Sequence, residues 1–102
     1  MKQSYVYILT DEGHTGFYTG VTASLEKRMF EHVNDVVKSY TSKYKLKKLV
    51  YYEIHSDITE AIWREKKIKK WKTAWKWDLI DKVNPLRENL YKDGYIEAVD
   101  NY

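Results

Sequence analysis

Tyr7, Tyr18, Arg28, His32 and Glu65 are the side chains in this sequence whose type and spacing could do chemistry. Glu65 lies seven residues beyond Ile58, four beyond Ala61 and three before Ile68, so on a helix it falls within the apolar stripe. A carboxylate there must meet a cation, a metal ion or water in a cleft, because burying an unpaired charge is costly. At the edge of the stripe it would instead pair with Lys69, one turn further on. Arg28 and His32 are four residues apart and share one helix face. The guanidinium is a planar fork suited to a phosphate, with a surface ion pair to Glu31 or Asp35 as the ordinary alternative. An imidazole with a pKa near 6.5 can shuttle a proton or hold a phosphate, and can equally be a satisfied interfacial group. Tyr7 and Tyr18 fall on two successive strand patterns, and if the turn between them centres on Glu12 and Gly13 they stand opposite each other on one face. The ordinary role of such tyrosines is half-buried sheet packing.

These residues need a scaffold, and the chain has the patterns for one. Residues 5–10 alternate Tyr5, Tyr7 and Leu9 with Val6 and Ile8, a strand covered on both faces, and residues 17–22 repeat the signal. The polar stretch 11–16 between them holds two glycines and reads as a hairpin loop. Thr22 or Ser24 can cap a helix whose stripe is Leu25, Met29, Val33 and Val36. Residues 38–46 read as a basic loop and residues 47–54 as a third strand. Ser56 or Asp57 can cap the next helix, with Ile58, Ala61, Ile62 and Ile68 toward the core. The helical pattern continues through residues 71–82, after a break near Lys72, with Trp71, Trp75 and Leu79 inward. Pro85 ends it, residues 87–91 suggest one more helical turn, and residues 93–102 read as an acidic, frayed tail. The expected organisation is a single domain over residues 1–92 with a flexible tail over 93–102.

Composition narrows the chemistry. At 102 residues the chain has the size of one domain, and its 43% apolar content, with four Trp and ten Tyr, can fill one modest core. With no Cys, disulfides, thiolate zinc sites, iron–sulfur ligation and thiol nucleophiles are excluded. No apolar run approaches the roughly 18 to 20 residues of a membrane span, so a cytoplasmic, membrane-free location is expected. The net charge of +3 conceals −2 over residues 1–26, +8 over residues 27–76 and −3 over residues 77–102. A basic centre is the footprint of a protein that meets phosphate, although a lysine-rich helix face can also be merely solvated.

Taken in order, Tyr5-Val6-Tyr7-Ile8-Leu9, Tyr18-Thr19-Gly20-Val21-Thr22, Leu25-Glu26-Lys27-Arg28, His32, Glu65 and Asn84-Pro85 resemble the GIY-YIG nuclease domain. The likeness runs from Tyr5 to about Tyr91 and is to its small stand-alone branch, UPF0213-type domains also labelled after the UvrC nuclease subunit. The glycine of the first motif is Tyr5 here, a position commonly aromatic in that branch. The resemblance implies an α/β fold with a three-stranded antiparallel sheet flanked by helices. It further implies endonuclease-type phosphodiester hydrolysis with one Mg²⁺ or Mn²⁺ ion, in DNA repair or processing. The alternative is a DNA- or RNA-binding module with the same fold that is non-catalytic or needs a partner.

Within the resemblance, Glu65 is the metal ligand, Arg28 meets phosphate charge, Tyr7 is the general base, and Tyr18 and His32 support it. A phenol is a demanding base: with a pKa of about 10 it is about 0.1% ionised at neutral pH, a deficit of roughly 4 kcal/mol. Arg28 and a metal ion would lower that pKa. Lys38, Lys43 and Lys45 in the loop, Lys66, Lys69 and Lys70 on the helix, and Asn84 are the expected nucleic-acid contacts. Nucleic acid is the expected partner, DNA ahead of RNA, with a second protein supplying specificity that so short a chain lacks. Trp63, Trp71, Trp75 and Trp77 interleave with the lysines and could stack on unpaired bases, although the spacing of Trp71 and Trp75 favours core packing. His14 and His55 fall outside the pattern.

Overall fold

A strand apolar on both faces belongs in the middle of a sheet, and that is where β1 (Ser4–Thr10) lies. The computed structural model, which describes residues 3–36 and 38–98, pairs it antiparallel with β2 (Phe17–Thr22) on one side and β3 (Lys48–His55) on the other. Helix α1 (Leu25–Val33) follows β2, and a short α2 (Tyr40–Lys43) precedes β3. Helices α3 (Ile58–Lys69) and α4 (Thr73–Asp81) follow, and the small hairpin of β4 (Tyr91–Lys92) and β5 (Tyr95–Ile96) closes the described chain. The α/β architecture with a three-stranded antiparallel sheet is as expected.

The sheet separates two apolar layers. Tyr7, Leu9, Leu49 and Tyr52 pack with Leu25 and Met29 of α1. Val6, Ile8, Val50 and Tyr51 pack with Ala61 and Ile68 of α3 and Ile80 of α4. Simple alternation would put Leu49 with Tyr51. A register shift between Ile8 and Leu9, which pair with Tyr51 and Leu49, leaves Val50 as the extra residue and puts Leu49 and Tyr52 on the α1 side together.

The hairpin register differs from expectation. Tyr7 lies opposite Gly20, and Tyr18 lies opposite Leu9. The loop is longer than a centre at Glu12 and Gly13 implies, because the Asp11 carboxylate organises it, accepting from Thr15 N at 2.8 Å, Thr15 Oγ1 at 2.7 Å and Gly16 N at 2.9 Å. The shift is by two residues, so both phenols remain on one face.

Several boundaries also move. Val36 lies beyond α1 and is exposed, and Ile58, Ile62 and Trp75 of the expected stripes are largely open to solvent. Residues 38–46 are not all loop, since Ser39 and Ser42 form a capping box that starts α2. No helical turn forms at 87–91, because Arg87 adopts a positive φ of 51° and the chain leaves toward β4. The expected boundary at residue 92 cuts through the β4–β5 hairpin, whose Glu97 carbonyl accepts from the Tyr52 hydroxyl at 2.9 Å. Residues 93–98 are thus part of the fold, and residues 99–102 of the expected tail lie outside the described residues. Among the described residues no helix is long and apolar enough to cross a membrane.

Candidate active site

The site begins with a missing side chain. Gly20 lies directly under Tyr7, and a Cβ there would come within 2.6 Å of both the ring and the hydroxyl of Tyr7 and 2.9 Å of the Tyr18 ring. Only glycine leaves that volume free, so the two phenols can lean together, with centroids 6.1 Å apart. Tyr7 is 1% exposed, whereas Tyr18 is half-buried.

His32 comes down from α1 onto both rings, 5.8 Å from each centroid. Its Nε2 is 3.1 Å from the Tyr7 hydroxyl and its Nδ1 is 2.9 Å from Thr41 Oγ1, which is in turn 3.0 Å from Ser39 Oγ. Burial, then the Tyr18 phenol beside it, pushes the Tyr7 phenol well above its ordinary range, against the smaller downward pull of Arg28. Burial, reinforced by Arg28, holds His32 below its ordinary value. With Tyr7 protonated and His32 neutral, the tautomer that suits proton transfer has Tyr7 O–H donating to Nε2 and Nδ1–H donating to Thr41. Arg28 pulls the Tyr7 pKa down as expected, but desolvation of the phenol under α1 outweighs that cation by itself. Thr41 and Ser39 carry no sequence signal beyond that of a polar loop, and only folding α2 against α1 makes them part of the row.

Arg28 points outward from the same helix, 46% exposed, with its Nε 3.6 Å from a Glu31 carboxylate oxygen. Glu65 is on α3, whose buried residues Ala61 and Ile68 pack on the opposite face of the sheet. Its side chain is 14% exposed, as its place in the stripe implies, and its carboxylate lies 2.6 Å from Lys69 Nζ. Among the described residues, no hydrogen bond or ion pair joins Glu65 to the tyrosine–histidine row.

The comparisons decide the family. Residues 3–78 match the GIY-YIG catalytic domain. The chain is 40% identical over 88 residues to a UPF0213 protein of Syntrophus aciditrophicus (strain SB), covering 85% of this chain and 99% of that one. It is 39% identical over 90 residues to a UPF0213 protein of Clostridium perfringens (strain 13 / Type A), covering 88% and 96%. The chain belongs to the UPF0213 branch of the GIY-YIG family. The solution NMR structure of the UPF0213 protein BH0048 from Bacillus halodurans has the same fold, with a TM-score of 0.54 and 26% identity over 85% of this chain and 92% of that one.

The GIY-YIG match spans Tyr7, Tyr18, Gly20, Arg28, His32 and Glu65, and a domain of this family implies nucleic acid as the partner. Asn84 lies beyond it. Its Nδ2 donates to the Val50 carbonyl at 3.0 Å and the Glu88 carbonyl at 2.9 Å, and its Oδ1 accepts from Glu88 N at 3.1 Å. At 5% exposure it is a scaffold group, and its expected place among the nucleic-acid contacts is corrected: the amide is fully occupied in tying α4 to β3. Lys38 and Lys43 line a depression of about 370 Å³ beside Ser39, at the outer end of the hydrogen-bonded row. Lys45, Lys66 and Lys70 are exposed, and Lys69 is exposed but engaged with Glu65. Members of the GIY-YIG family generally depend on a divalent metal. Among the described residues, no three His, Asp or Glu side chains group as ligands. A lone, largely buried carboxylate still fits a hard ion that keeps most of its waters, and Lys69 shows that this one already attracts a cation.

Proposed function

We propose that this protein is a metal-dependent endonuclease that hydrolyses phosphodiesters in DNA, in DNA processing or repair in the cytoplasm. The single observation that carries the reading is the hydrogen-bonded row Tyr7–His32–Thr41–Ser39 beneath a half-buried Tyr18 and an exposed Arg28. A general base must reach the proton it takes. Tyr7 is covered, so Tyr18 meets the attacking water, and the roles expected for the two phenols exchange. As the water oxygen attacks phosphorus, its proton passes to the Tyr18 oxygen, the Tyr18 proton to Tyr7, and the Tyr7 proton to His32 Nε2. Each phenol gives a proton as it receives one, which avoids a free phenolate and the roughly 4 kcal/mol deficit it carries. The P–O bond to the leaving group breaks, and that oxygen takes a proton from solvent. Arg28 neutralises a non-bridging phosphate oxygen. Glu65 is the side chain that would hold Mg²⁺ or Mn²⁺, an ion that supplies charge neutralisation at the phosphate. The exposed lysines grip backbone phosphates without reading sequence, and a partner protein supplies specificity.

A second reading has its own support. The 2.6 Å pair of Glu65 with Lys69 satisfies the carboxylate without a metal, as suits a non-catalytic or partner-dependent DNA- or RNA-binding module. Incubation with supercoiled plasmid, branched DNA, single strands and RNA in Mg²⁺ or Mn²⁺ separates the two. Cutting that Tyr18→Phe, Tyr7→Phe and Glu65→Gln each abolish supports the nuclease, and salt-sensitive binding with no cutting of any substrate supports the module.

A further inference from the structure

Across the sheet from the tyrosines, the corner between α3 and α4 holds an aromatic pocket. Trp71 and Trp75 meet edge to face, with centroids 6.5 Å apart and planes at 78°. With Asp78, Leu79 and Lys82 they line a cavity of about 310 Å³, at the small end of small-ligand clefts. Trp71 is an anchored wall, packed on the core of Ile68 and Ile80 and capped by the Arg64 guanidinium 5.2 Å from its ring. Trp75 is different: 52% exposed, it has the Lys72 ammonium 5.7 Å from its centroid.

The charge around this pocket limits what can enter. Lys72 stands over Trp75 and Lys82 lines the pocket, within a stretch whose residues 64–76 carry seven cations and one acid, with Arg64 paired to Glu53 and Lys69 to Glu65. The surface attracts anions, while the pocket itself is indole and leucine with one carboxylate, Asp78, and one ammonium, Lys82. Its complement is a flat ring carried on an anionic backbone. Asp78 repels a phosphate but accepts from ring N–H and exocyclic amines, so the base enters and the phosphates stay at the lysines. A base stacked in duplex has both faces covered and cannot enter.

We propose that the Trp71–Trp75 pocket takes one unpaired nucleobase of a single-stranded or branched nucleic acid, the base lying on Trp75 while Lys72 and Lys82 meet the flanking phosphates. The inference deepens the reading above, on which it rests for nucleic acid as ligand, by naming strands with unpaired bases as the preferred substrates.

The test is fluorescence anisotropy with a labelled single-stranded oligonucleotide, in deoxy and ribo forms, against a duplex of the same length, for the full chain and for Trp75→Ala and Trp75→Phe. Base-on-indole stacking sets the expected loss for Trp75→Ala at roughly 5- to 150-fold on the single strand, with duplex affinity changed by less than about twofold. Trp75→Phe, which keeps an aromatic face, should restore most of it. A 2-aminopurine base in the single strand should be quenched by the wild type and not by Trp75→Ala. Equal losses on both substrates, or none, overturn the pocket. So does a wild type that sediments as a dimer which Trp75→Ala dissociates, since a second copy would then cover the site. Trp75-dependent single-strand binding without cutting of any substrate leaves the pocket standing and removes the nuclease reading. Cutting that is indifferent to Trp75 does the reverse.

Discussion

The Tyr7 ring lies across the face of Gly20 so closely that a methyl group on Gly20 would come within 2.6 Å of the Tyr7 hydroxyl. The glycine is required by this close approach, and through it a β2 backbone position sets the place of a β1 phenol.

Gly20→Ala should therefore displace the Tyr7 ring from His32. The overpacking should cost about 1 to 3 kcal/mol, read by urea unfolding, and any cleavage should fall with it. Gly16→Ala is the control: its Cβ would meet Leu46 at an ordinary 3.6 Å, and its unfolding midpoint should move little.

Thr41 is 3% exposed and holds the Nδ1 side of His32. Thr41→Val keeps the shape but leaves the part-buried Nδ1 of His32 without its partner, at a cost of about 1 kcal/mol. As a positioning residue it should lower kcat while leaving KM nearly unchanged, and Thr41→Ser should restore kcat. A change confined to KM would remove Thr41 from the proton path.

His32 lies below its ordinary value of 6.5 because of burial first and Arg28 second. The folded pKa is below the unfolded one, so the stability it contributes is complete above about pH 6.5 and is lost as pH falls through the folded value. The His32 ring-proton titration followed by NMR should have its midpoint below pH 6.5. It should move upward in Arg28→Gln and downward in Glu31→Gln, since Glu31 opposes the shift. The acid limb of the kcat profile should follow the same midpoint, because only the neutral ring accepts from Tyr7.

Behind the other face, Glu53 is 7% exposed and accepts from Tyr51, from Arg64 Nε at 2.8 Å and from His55 at 2.9 Å. Burial pushes this carboxyl up, but the three hydrogen bonds together outweigh it and hold it below its ordinary 4.5. Its contribution is thus present above about pH 4.5 and lost as pH falls through the lower folded value. Glu53→Gln should cost about 2 kcal/mol at neutral pH and flatten the acid dependence of the urea midpoint. An unchanged acid slope would show that the pairing contributes nothing.

Local pattern carried much of this architecture. The doubly apolar run around Tyr7 marks a central strand, the alternation at Tyr18 marks its neighbour, and Asp57 caps α3 as read, accepting from Thr59 N at 2.9 Å. Period and propensity are properties of adjacent residues, so they survive reading in one dimension. Glu53 carries no such signal, because a strand acid shows no helical phase and the cation that pairs with it, Arg64, comes from α3, while Tyr51 and His55 flank it on β3. Trp75 was placed inward by a spacing of four from Trp71, but the break at Lys72 rotates α4 and resets the phase.

Residue types and order by themselves determined the sheet-and-helix layout, the basic centre and the candidate set of Tyr7, Tyr18, Arg28, His32 and Glu65. Tertiary structure decided which of them lie together. Burial under α1 covers Tyr7 and leaves Tyr18 half-buried, the α2 turn brings Thr41 and Ser39 to His32, and the amide of Asn84 is engaged inside the scaffold. Proton affinity and access depend on desolvation and on the three-dimensional neighbours of each group, and neither is encoded in the spacing of residues along the chain.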